Sequence, residues 1–172
     1  PMNDIGMKKL TDYRSDLIAT GRYRPVPRVT DVIPMREMPI HMAKVSAGPG
    51  NFLNESNFEM REFPTDAVPS DAEFGILVSG DSMEPIYNDG QIVWVQRRNR
   101  LNVGEVGIFV YDGEGYLKMY SEQEPEEAVE DAFTDSNGVV RKQPVLVSYN
   151  KKYEPKVISP YAYFQIIGRV LR

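Results

Sequence analysis

Phe74-Gly75-Ile76-Leu77-Val78-Ser79-Gly80-Asp81-Ser82-Met83-Glu84-Pro85-Ile86-Tyr87-Asn88-Asp89-Gly90-Gln91-Ile92-Val93-Trp94-Val95 joins two apolar runs through a polar middle rich in turn residues. The runs Phe74–Ser79 and Gln91–Arg97 have strand length and composition, and Asn88-Asp89-Gly90 is a turn signal between them. A strand that leaves into a sharp turn presents one side chain at the sheet edge. Gly80 permits backbone angles closed to other residues, and Pro85 stiffens the exit. Ser82 in that turn would expose its hydroxyl, and the backbone N–H groups of Asp81 and Ser82 would point towards a developing oxyanion. Taken alone, Gly80-Asp81-Ser82 reads as an ordinary turn, a common one, rather than as a nucleophile.

Outward from this stretch the same pattern repeats. Ile40–Ser46, Val106–Tyr111, Tyr116–Tyr120, Val145–Tyr149 and Phe164–Leu171 read as short strands, and Asp112-Gly113-Glu114-Gly115 as a hairpin turn. Gly48-Pro49-Gly50-Asn51 reads as a turn or exposed loop. No stretch after residue 40 carries a useful helical period, so the expected class is mainly β, in short twisted sheets. Residues 121–137 are acidic and read as a solvated loop, with a docking surface for a basic partner as the alternative. Upstream, residues 4–20 have loosely helical spacing ended by Gly21, either as a short tail helix or as the last helix of an upstream domain. Pro25, Pro27, Pro34 and Pro39 exclude a regular helix over 22–39, which reads as an extended linker. The expected organisation is a linker or remnant of an upstream region over 1–39, and one β domain over 40–172.

The 172 residues include no cysteine and carry a net charge of −5. Disulfides and thiolate zinc sites are thereby excluded. The acidic body disfavours nucleic acid as a direct partner of residues 40–172, which hold the excess of Asp and Glu; residues 1–39 are mildly basic. No apolar run is long enough for a membrane helix, and the start lacks a signal-peptide layout, so the expected location is cytoplasmic.

The choice of base narrows the chemistry. His41 is the sole histidine, so a Ser-His-Asp triad would have to use it. Lysine is the substitute, and it works only when neutral, which burial favours. Lys118 lies between apolar neighbours in Gly115-Tyr116-Leu117-Lys118-Met119-Tyr120, on one strand face with Tyr116 and Tyr120. It fits an exposed strand lysine as well. Asp81 is a caution, because a nearby carboxylate favours the charged amine. Neither a metal nor another cofactor is expected.

Val78 to Pro85, followed by Asn88-Asp89-Gly90-Gln91-Ile92-Val93, resembles the nucleophile segment of the LexA-like peptidases, a family that includes LexA, UmuD and many phage repressors. Gly104-Glu105-Val106-Gly107-Ile108 followed by Tyr116-Leu117-Lys118 resembles the part that delivers its lysine base. Leu146 to Asn150, Tyr153-Glu154-Pro155 and Ile166 to Val170 resemble the end of repressor members. The resemblance implies a Ser82–Lys118 dyad, an oxyanion hole from the N–H groups of Asp81 and Ser82, and self-cleavage at Ala47–Gly48, where Pro49 would slow entry. It further implies a homodimer, a RecA–DNA filament as co-protease, and operator DNA held by an upstream domain, as in an SOS-type repressor. A UmuD-like accessory subunit of a repair polymerase and a non-enzymatic dimerisation module are the alternatives. Signal peptidases share a similar serine turn and lysine base, but are membrane anchored.

Overall fold

The computed structural model describes residues 3–21, 33–42 and 53–171. The chain divides into two compact units, residues 1–32 and 33–172. In the first, α1 (Asp4–Ala19) starts where the Asn3 side chain accepts the Gly6 N–H and ends at Thr20, with Gly21 at φ 65°. These are the expected helix and its stop.

The second unit is one nine-stranded sheet: β1 (Met35–His41), β2 (Phe58–Pro64), β3 (Phe74–Leu77), β4 (Ile92–Arg97), β5 (Val106–Tyr111), β6 (Glu114–Gln123), β7 (Gln143–Val147), β8 (Lys156–Val157) and β9 (Phe164–Leu171). The order across the sheet is β2-β1-β3-β4-β9-β5-β6-β7-β8. Among the described strands, only β1 and β3 run parallel, paired at Ile40↔Gly75 and His41↔Ile76. The mainly β reading therefore holds. β1 starts at Met35, five residues before the first expected strand, because Met38 and Ile40 already alternate into a core with Val68 and Ala72. β2 and β8 were not expected from the sequence. In the acidic stretch, β6 runs on to Gln123, and a single helical turn, α2 (Glu130–Phe133), follows.

β5 is shared by two of the sheet's cores. Val106, Ile108 and Val110 point into the main cluster with Phe74, Val93, Val95, Ile167 and Met83. Phe109 points the other way, to Tyr120, Leu146 and Ile158. A strand buried on both faces reads as an unbroken apolar run, which Val106 to Val110 is. Asp112 and Gly113 both have positive φ, 51° and 84°, so the β5–β6 connection is a two-residue turn with the twist a hairpin needs.

Candidate active site

The serine turn is built as the quoted stretch suggests. Val78 N–H donates to Gln91 O at 2.8 Å and Gly90 N–H to Val78 O at 2.9 Å, closing the loop between β3 and β4. Gly80 takes φ 88° and donates its N–H to Asp89 Oδ1 at 2.7 Å. A tight turn follows, closed by Tyr87 N–H bonded to Met83 O at 3.0 Å. Met83 and Tyr87, at the two ends of this turn, are both buried in the main core. The turn is thus anchored by its apolar residues, and Ser82 is left at the rim. The Glu84–Pro85 peptide is cis.

β6 brings Lys118 to the same place. It pairs with Gly107 across the β5–β6 ladder and is 9% exposed. Its Nζ lies 2.5 Å from Ser82 Oγ. Both line an open cleft of about 440 Å³, which Ser148, Tyr153 and Lys156 also border. Burial, and second the charge of Lys156, lower the Lys118 amine from the usual 10.5 to about 8. Lys156 is itself held over the Tyr116 and Tyr111 rings, 4.9 and 5.7 Å from their centroids. At pH 7 a lysine at about 8 is neutral in roughly one molecule in ten, against fewer than one in a thousand at 10.5. The arrangement can therefore deprotonate a serine hydroxyl.

His41, the other candidate base, is buried at 2% exposure and sits edge-on to Phe58, with ring centroids 5.1 Å apart. Ala47 and Gly48 lie outside the described residues. The described chain leaves β1 at Met42 and resumes at Leu53 before β2, so both fall in the β1–β2 connection.

A third segment completes the site and was not singled out for it from the sequence. The loop after β7 binds the serine turn from the side: Asn150 N–H donates to Ser82 O at 3.0 Å, Asn150 Nδ2 to Asp81 O at 3.0 Å, and the Tyr153 hydroxyl to Asp81 Oδ1. Tyr149 stacks on Tyr87 at 6.3 Å. The available signal was Ser148-Tyr149-Asn150 with Tyr153, which resembled repressor ends without a stated role.

No helix among the described residues is long and apolar enough to cross a membrane. No curated protein matches the chain. A family model described as Peptidase S24-like matches residues 39–129, just over half of the chain, and spans both the Ser82 turn and Lys118. With a serine and a buried lysine of lowered basicity in contact at the rim of a β sheet, and a family model covering both, the chain belongs to the peptidase S24-like family of LexA-like serine peptidases.

Proposed function

We propose that this chain is the C-terminal regulatory domain of a LexA- or phage-type transcriptional repressor that inactivates itself by cutting Ala47–Gly48 with a Ser82–Lys118 dyad. The 2.5 Å contact between a buried, weakly basic lysine and a turn serine carries the reading. Neutral Lys118 takes the Ser82 proton as Oγ adds to the Ala47 carbonyl carbon. The N–H groups of Asp81 and Ser82 receive the oxyanion. Lys118 then gives its proton to the Gly48 nitrogen as the C–N bond breaks, leaving Ala47 esterified to Ser82. Water, deprotonated by Lys118, displaces Ser82 and frees the Ala47 carboxylate.

The substrate is tethered between β1 and β2, so the rate is governed by how often the connection docks in the cleft. A RecA–DNA filament would act by favouring the docked state. Operator DNA would be held by a domain upstream, with dimerisation through residues 40–172. Loss of the link between these halves abolishes repression, since single half-site contacts bind weakly.

Purified protein held between pH 7 and 10 is expected to give fragments ending at Ala47 and starting at Gly48, by intact mass. Ser82→Ala and Lys118→Ala should each abolish them. A wild-type chain that stays whole at every pH, with activated RecA present, overturns the reading.

A further inference from the structure

The residue before the nucleophile is a carboxylate, in a site whose base must lose its charge. Asp81 adjoins Ser82, and Ser82 Oγ touches Lys118 Nζ. A free Asp81 side chain could swing to the ammonium and hold it charged. Three observations show it turned elsewhere. Its Oδ1 accepts the Tyr153 hydroxyl and its Oδ2 accepts Asn150 Nδ2 at 3.4 Å. Lys152 lies on that side and draws the carboxylate further. Among the described residues, no carboxylate oxygen comes within ion-pair distance of Lys118. The same tyrosine faces both partners: its hydroxyl holds Asp81, while its ring stands 6.0 Å from Lys118 Nζ.

We infer that Tyr153 is a positioning residue that latches the Asp81 carboxylate away from Lys118 and so keeps the general base from being captured as an ion pair. The inference rests on the proposed base role of Lys118 for its consequence in cleavage, though not for the latch itself. Around Lys118 the charged and titratable groups are Lys156 from β8, Tyr116 from β6, Tyr153 and Glu154 from the loop before β8, and Asp81 from the serine turn. Asp81 is the acid tied down by a tyrosine hydroxyl. The hydrogen bond holds Asp81 below its ordinary range and Tyr153 above its own, so both stay in the bonding state across the working pH.

The test uses the full chain carrying Ser82→Ala, which cannot cut itself. The Lys118 titration is followed through its 13C ε-carbon resonance, assigned by its loss in Lys118→Met. Tyr153→Phe keeps the ring and removes the latch, and should raise the midpoint by about one pH unit, the usual effect of an opposite charge a few ångströms away. Adding Asp81→Asn to Tyr153→Phe should return it to the parent value or below. An unmoved midpoint, or a rise that Asp81→Asn leaves in place, overturns the latch. In the Ser82 chain, Tyr153→Phe should slow cleavage about tenfold at pH 7, with the deficit shrinking towards high pH. A uniform loss at all pH values means a structural role and also overturns it. If the NMR midpoints move as expected but the Ser82 chain never cuts, the peptidase reading fails and the latch stands.

Discussion

An amine at 9% exposure beside a serine hydroxyl costs the fold something, because burial opposes its charge. The shift from 10.5 to about 8 corresponds to roughly 3 kcal/mol in the protonated state. The folded chain binds fewer protons at Lys118 than the unfolded chain between about pH 8 and 10.5, so stability from this group rises with pH across that window and is lowest below it. Lys118→Met is therefore expected to stabilise the chain at pH 7 by about 1–3 kcal/mol in urea unfolding, with the gain fading as pH approaches 10.5. A gain that does not change with pH would trace to packing rather than charge. Ser82 and Lys118 each sit in a local signal, a glycine-led turn and an apolar strand, that alone fits an ordinary residue; the family resemblance is what singles them out. The partners that tune them were not legible. Tyr153 and Asn150 lie 72 and 69 residues from Asp81, and Lys156 works through β8, a strand of two residues. Only the folded sheet brings such distant polar side chains together, and no periodicity announces them.

At the scale of elements, the strands found in advance are those with continuous or alternating apolar runs. β2 escaped because Phe58–Pro64 carries Glu59, Arg61 and Glu62, the composition of an edge strand, and the sheet order puts it at an edge. Residues 35–39 read as linker because of Pro39. The structure admits that proline because β1 pairs with β3 only through Ile40 and His41, so Pro39 meets a ladder on one side alone, opposite Met60 of β2. Where β4 and β9 lie side by side, glycine is required for space. A Cβ on Gly168 of β9 would stand 2.5 Å from Gln96 O and 2.6 Å from Val95 Cγ1 of β4, and the first of these is backbone that cannot rotate away. Gly168→Ala is expected to cost about 1–3 kcal/mol through forced separation of β4 and β9, read as a lower urea midpoint with unchanged slope. An unchanged midpoint would mean that the two strands part at no cost.

For the whole molecule, the place of the proposed cut relative to the sheet determines what cutting achieves. A break at Ala47–Gly48 leaves β1 on the upstream fragment. β1 is no loose tether: it pairs with β2 along seven residues, from Met35↔Pro64 to His41↔Phe58, and touches β3 on its other side. Met38 and Ile40 are 2% and 0% exposed, packed with Val68 and Ala72. Burying two such side chains contributes about 3–6 kcal/mol, and none of it is lost when one peptide bond opens. Peptide hydrolysis should therefore nick the molecule without separating it, and release of the upstream part should be a second, slower step in which β1 leaves the sheet. After complete cleavage, both fragments are expected to co-elute in native size exclusion and to part in mild urea. Met38→Ala with Ile40→Ala should bring separation to lower urea, because the lost apolar burial and the cavities left behind weaken the hold of β1 on the sheet. Immediate separation of the wild-type fragments in buffer would mean that β1 is held by its covalent link alone. Under the repressor reading, co-elution predicts loss of operator binding that lags behind loss of the intact chain on a gel.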